Sequence, residues 1–263
     1  MYNPKNDKKG LMAKIYHYTK LSTAIEFILP SMSLRTNFLN KMNGPKENQK
    51  WSFGGINVPY ETLYSDINID IDSDKDYFGS MYKFGEELKS KIQAICFVYS
   101  DTYKGYENEM MWAQYAENHK GICLEIDTDL FIKENSHIDI FKFQNINYNP
   151  KKNEWVYWNK NMSKDENIEQ HIKRDYESLF LSKSHYWEKE FEKRLLILAN
   201  DYCYLKIKES LTGVYYGLST DLNYEVAIQQ FINPLITKSY HVYFENNRLK
   251  RMERKSTHHN SEF

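Results

Sequence analysis

The sequence predicts an α+β fold, on three observations. Predicted strands outnumber predicted helices, and they do not alternate as regular βαβ units. Short apolar, β-branched runs such as Ala94 to Tyr99 and Leu195 to Leu198 suit buried strands. At 263 residues the chain can bury a sizeable core, as one large domain or two small ones. The expected organisation is a single domain over residues 1–247, with a basic, then polar, C-terminal tail over 248–263.

Lys14 to Tyr18 reads as a short strand. A helix follows from Leu21 to Leu29, with Thr23 and Glu26 at capping-box spacing and Pro30 just past its end. Ser33 to Thr36 is a second strand. The polar, turn-rich stretch from about 48 to 80 is expected to be a variable loop or lid. Its alternating Asp70, Asp72, Asp74 and Asp76 suggest a calcium loop, but neither the turn glycine nor the twelfth-position Glu is present, so a solvated loop is expected. Residues 81–91 look helical, and residues 108–125 read as a helix, a Lys120-Gly121 turn and a strand ending at Glu125. Phe141 to Tyr148, Phe191 to Ala199, Tyr204 to Ile207, Gly213 to Gly217 and Tyr240 to Glu245 read as strands. Asp165 to Ser182 and Asp221 to Ile232 carry helical periodicity.

Net charge is −1, so no overall field favours nucleic acid or acidic membranes. Three cysteines, an odd number without metal-ligand spacing, argue against a disulfide framework and fit a reducing cytoplasm. The N-terminal MYNPKNDKKG has no apolar stretch, and no run approaches the ~18 apolar residues of a membrane span. No Gly-rich phosphate loop, metal cluster or nucleophile elbow is evident. The basic tail with Arg248, Lys250, Arg251, Arg254 and Lys255 could touch RNA or DNA, although such tails commonly serve only solubility.

The densest chemistry lies in NEMMWAQYAENHKGICLE, residues 108–125. Helical spacing puts Trp112, Tyr115 and His119 on one face, as a core face or a binding face. This block resembles the signature of a mostly bacterial family, domain of unknown function 2971. Met111-Trp112-Ala113-Gln114-Tyr115-Ala116 and Asn118-His119-Lys120-Gly121 carry the likeness, with Gln114 where many members have His. Tyr16-His17-Tyr18-Thr19, Leu34-Arg35, Asn43-Gly44-Pro45-Lys46-Glu47, and Lys183 with Trp187, Glu190, Glu192 and Arg194 match further motifs in order.

Tyr16-His17-Tyr18-Thr19, with the helix and Leu34-Arg35 after it, also resembles the first motif of ADP-ribosyltransferases of the His-Tyr-Glu type. That resemblance implies a split, mainly antiparallel sheet flanked by helices. It also implies cleavage of NAD, as substrate, with transfer of ADP-ribose to a macromolecular acceptor, nucleic acid or protein. A toxin or anti-phage effector is the implied setting. His17 would hydrogen-bond the ribose, and the strand at Tyr18 and Thr19 would hold the carboxamide. A carboxylate near the sugar stabilises the cationic transition state more than the ground state. Glu190, Glu192 and Arg194 would share one strand face, with Glu192 ranked as the catalytic carboxylate and Glu190 paired with Arg194. Tyr115 or Trp112 would stack on nicotinamide, Arg35 would hold phosphate and Glu47 would orient Arg35. The expected cleft gathers His17, Thr19, Tyr115 and Glu192. Two rivals are a metal-dependent nuclease using His17, Lys183, Glu190 and Glu192, and a non-catalytic nucleotide sensor.

Overall fold

The computed structural model describes residues 14–42, 47, 51, 55–56, 76–101, 104–150, 155–156, 159, 161–235 and 237–254. In chain order the elements are β1 (Lys14–Thr19), α1 (a continuous run of Leu21–Thr23, Ala24–Ile28 and Leu29–Ser31), β2 (Ser33–Arg35), β3 (Asn37–Phe38) and β4 (Gly55–Ile56). Then come α2 (Asp76–Ser90), β5 (Ile92–Val98), α3 (Glu109–Tyr115), β6 (Ile122–Asp127), α4 (Thr128–Glu134), β7 (Ile140–Asn145) and β8 (Trp155–Val156). The chain continues with α5 (Lys164–Phe180), β9 (Glu192–Leu198), β10 (Tyr204–Lys206), β11 (Leu211–Tyr216), α6 (Leu222–Ile232), β12 (Lys238–Glu245) and β13 (Arg248–Glu253).

The fold is α+β, as expected. One nine-stranded sheet runs β13-β12-β11-β6-β1-β5-β9-β7, with β3 added on β5. It is mostly antiparallel; β11 and β12, joined through α6, pair in parallel. Its two halves, β13-β12-β11-β6-β1 and β3-β5-β9-β7, are joined through one registered pair, Tyr16 opposite Val98. The pairs β10-β2 and β4-β8 stand apart from this sheet.

Strand alternation assigns each side chain to a face. On the first face Ile15, Phe97, Leu124, Leu195 and Val214 pack with Phe131 of α4 and Ile228 of α6. On the second face Tyr16, Tyr18, Val98, Cys123 and Tyr215 pack with Trp112 of α3. Towards β9 the second face carries Ile92, Ala94 and Leu196 against Phe84, Leu88, Ile168, Ile172 and Phe180 of α2 and α5. Each fully buried Leu, Ile or Phe here contributes about 1.5–3 kcal/mol, which is why the apolar strand runs predicted the sheet well.

The departures from expectation have local causes. Thr23 does not cap a helix start, because α1 already begins at Leu21. Pro30 lies inside α1, whose middle, Ala24–Ile28, widens into a π-turn. A proline lacks an N–H and clashes with the carbonyl four residues earlier, and a wider turn accommodates both. Asp127 caps α4 by accepting from the Leu130 amide at 3.0 Å, a helix hidden behind the end of β6. The basic segment after Arg248 is not a frayed tail up to Glu253: it pairs as β13 with β12. Asp76 starts α2, while Asp70, Asp72, Asp74 and most of the expected lid lie outside the described residues.

Candidate functional site

Glu192 opens β9 opposite Val98, and Val98 stands opposite Tyr16. Directly opposed residues share a face, so Glu192 and Arg194 lie on the second face with Tyr16 and Tyr18. His17 is one residue on from Tyr16 and belongs to the first face. Its ring packs edge-on against Phe97 at 5.9 Å, and its Nδ1 sits 3.1 Å from the Cys96 carbonyl. Burial lowers its pKa, with the Cys96 carbonyl acting against the shift. Thr19 shares the face of His17. The expected cleft of His17, Thr19, Tyr115 and Glu192 is therefore not formed; the sheet separates its two halves.

What does assemble is a buried charge cluster on the second face. Lys183 donates to Glu190 Oε2 at 2.6 Å and reaches Glu192 Oε2 at 2.6 Å. Arg194 donates from Nε to Glu192 Oε1 at 2.6 Å, and from Nη1 to Glu47 Oε1 at 2.7 Å and the Phe180 carbonyl at 2.8 Å. The Tyr115 hydroxyl donates to Glu190 Oε1 at 2.9 Å. Glu47, Glu190, Glu192, Lys183 and Arg194 are all buried, whereas Tyr115, bonded to Glu190, is 42% exposed. Among the described residues three carboxylates face Lys183 and Arg194, while Lys89, buried and paired with Glu86, donates to the Glu47 carbonyl at 3.2 Å.

Burial by itself raises the Glu192 carboxyl, but Arg194 and Lys183 outweigh it and hold it down at about 2. Burial likewise works against the charged Lys183, and Glu192 and Glu190 more than compensate, raising its pKa. Burial and then Glu190 push the Tyr115 phenol up, so it stays a donor. Glu192, not Glu190, is the partner of Arg194. Glu190 meets one cation where Glu192 meets two: it shares Lys183 with Glu192 and accepts from Tyr115. Glu190 is not on the strand: it ends the 3-10 turn His185–Glu190, and Phe191 with φ 49° breaks the register before β9 begins.

Several other expected contacts are redirected. Trp112 is fully buried, donates from Nε1 to the Tyr106 carbonyl at 2.8 Å and meets Tyr18 edge-on at 5.0 Å, so it is a core residue and not a free stacking face. Tyr18 is buried with its hydroxyl on the Gly105 carbonyl at 2.5 Å. Arg35 lies on the separate β2-β10 pair, its guanidinium 4.9 Å over the Tyr202 ring, and Glu47 orients Arg194 in its place. Helix α3 stops at Tyr115, and Glu117, Asn118 and His119 follow with positive φ. His119 therefore folds back to stack on Trp112 at 5.8 Å instead of extending the helical face. Asn43 lies outside the described residues.

Two contributors were not anticipated. The Tyr148 hydroxyl accepts from the Glu192 amide at 2.9 Å, and Cys96 stands opposite Arg194 on the neighbouring strand. Beyond them, Glu125 accepts from Tyr215 at 2.6 Å, Thr212 at 3.0 Å and Tyr16 at 3.2 Å. Above it Tyr106, Tyr215 and Tyr240 stack at 4.5 and 4.8 Å, with Arg251 4.3 Å over Tyr240. Among the described residues no group of three or more His, Cys, Asp or Glu is placed to hold a metal ion. No helix among them is long and apolar enough to cross a membrane.

No curated protein and no solved structure matches this chain. Residues 111–195 match the model of the family described as Protein of unknown function (DUF2971), a stretch that contains Tyr115, Lys183, Glu190, Glu192 and Arg194.

Proposed function

We propose that the protein consumes NAD in a glycosyl-transfer reaction centred on Glu190 and Tyr115, without His17. The observation that carries this is a half-exposed tyrosine bonded to a carboxylate of a buried cluster. The oxidised nicotinamide ring is flat and cationic, so it suits an aromatic face beside a carboxylate. When its bond to ribose breaks, nicotinamide leaves with the bonding electron pair and positive charge develops on the sugar. A fixed carboxylate at Glu190 stabilises that charge more than the ground state. Rotation of the Tyr115 side chain, fast for an exposed residue, frees Glu190 Oε1 from its hydroxyl. The acceptor atom then bonds to the sugar carbon and gives up its proton.

A second reading, a sensor that binds NAD intact, is favoured by the full engagement of Glu192 by Lys183 and Arg194. The nuclease reading loses support, since these carboxylates are committed to cations and His17 is on the other face. The test is nicotinamide release from NAD in the presence of RNA, DNA and cell lysate, for wild type, Glu190→Gln and His17→Asn. The expected result is turnover in wild type and His17→Asn, with about 10²–10³-fold loss in Glu190→Gln at unchanged fold. Micromolar binding of NAD without turnover in any protein supports the sensor instead, and full activity in Glu190→Gln removes the cluster from the chemistry.

A further inference from the structure

Next to the charge cluster is an open cleft of about 510 Å³ between the start of α3, the turn at 189–191 and the β12–β13 hairpin. Lys189 and Phe191 line it and flank Glu190 in sequence; Asn108, which caps α3, also lines it and donates to the Lys189 carbonyl at 2.7 Å. The cleft and the cluster therefore share the 189–191 turn and the helix that carries Tyr115. From the hairpin come Asn247, Arg248, Leu249 and Lys250.

The charge of the chain is unevenly placed. Residues 238–254 contain five Lys or Arg and two Glu, net +3 in a chain of net −1. Lys238 pairs with Glu253, Arg251 with Glu125 and Arg254 with Glu225. Arg248 and Lys250, at the cleft, enter no ion pair among the described residues. On the same hairpin Tyr243, opposite Lys250, is 40% exposed, whereas Phe244 stands opposite Leu249 on the other face. Cations beside an exposed aromatic ring suit a chain of phosphates carrying flat bases. The carboxylates of Glu107 and Glu109, also at the cleft, disfavour an acidic peptide but can accept from base amino groups.

We propose that this cleft and hairpin bind single-stranded nucleic acid, and that it is the acceptor of the transfer. The acceptor role rests on the NAD-consuming reading; the binding does not. In the transfer a base nitrogen or oxygen bonds to the sugar carbon as nicotinamide departs, and the base proton passes to solvent.

Binding is measured without NAD, by anisotropy of labelled oligo-dT and oligo-rU of about 20 nucleotides on the full chain, between about 50 and 200 mM salt. Wild type is expected to bind with a negative salt slope. Arg248→Glu/Lys250→Glu should weaken binding at least tenfold and reduce the slope by about 1.4, two contacts at about 0.7 each for single strands. The exposed pair Lys206→Glu/Lys208→Glu makes the same charge change elsewhere and should bind as wild type does, and melting temperatures confirm that both variants fold. No binding at the lower salt, equal loss in both double variants, or displacement by a polyglutamate peptide overturns the proposal. Binding that behaves as expected with no nicotinamide release upholds the cleft and defeats only the transferase reading.

Discussion

Arg194→Met asks how much the buried charge cluster contributes to the fold. Arg194 is 1% exposed and holds Glu192, Glu47 and the Phe180 carbonyl at once. It thereby ties β9 to the end of α5 and to the segment at residue 47. The drop of the Glu192 carboxyl from 4.5 to about 2, at 1.36 kcal/mol per pH unit, is worth about 3 kcal/mol at neutral pH. Removing the arginine leaves buried carboxylates short of a cation, and breaking a buried pair from one side costs about 3–5 kcal/mol. Urea unfolding at pH 7 should therefore show a loss of about 3–5 kcal/mol. The pH dependence has a definite sign. A depressed folded-state carboxyl contributes fully above the unfolded value of 4.5, and the contribution disappears as pH falls towards about 2. Wild type loses stability through that window. The variant, whose Glu192 protonates more easily, loses less, so the gap between the two proteins closes as pH falls from 4.5 to 2. Should the single variant fail to fold, Arg194→Met/Glu192→Gln removes the charge with its partner and should recover part of the loss. A variant within about 1 kcal/mol of wild type at pH 7, or a gap that ignores pH, refutes the cluster as described.

Two further substitutions probe α3 and its unusual end. Trp112→Ala empties a fully buried site between Tyr18 and His119 and should cost about 3–5 kcal/mol in chemical unfolding; a loss below about 1 kcal/mol would mean the indole is not core. At Gly121 an added Cβ would press on the Thr19 carbonyl and lie 2.9 Å from the Ala116 Cα. Gly121→Ala is accordingly expected to lose about 1–3 kcal/mol by the same measurement, and unchanged stability would show that this close approach is not real.

Most of the sheet was legible from sequence because its strands are short apolar runs buried on at least one side. Leu195 to Leu198 and Ala94 to Tyr99 needed nothing but composition and length. The misses came where a local signal competed with another. Asp127 and Thr128 carry a helix-start signal, but Asp127 also ends β6, and no helix is predicted there after the strand. Arg248 to Glu253 reads as a solvated tail by charge alone; Leu249, 2% exposed, is its one deeply buried side chain. For the site, the residue types of the 183–194 motif were readable, while their pairing was not. Alternation tells that His17 and Tyr16 face opposite ways; it does not tell which of them Glu192 accompanies. That depends on Tyr16 standing opposite Val98 and Val98 opposite Glu192, a register fixed by tertiary packing. Similarly, the positive φ of Glu117, Asn118 and His119 ended a helix whose periodicity alone would have carried it further.

The central place of β1 has a consequence during synthesis. It is the first described strand to leave the ribosome, yet its ladder partner β6 lies far downstream, with 113 residues between Lys14 and Asp127. At about 5–20 residues per second that interval lasts about 6–23 s. For all that time Ile15, Tyr16 and Tyr18 have no β6 to pair with, and the nascent chain presents an apolar β-prone segment. Sheets closed by such distant contacts form slowly, since loop closure precedes any reward from pairing. A holdase that covers residues 14–19 until β6 emerges would therefore raise the folded yield more than any stabilisation of the finished sheet, and freshly translated chains truncated before Ile122 should be the ones that aggregate.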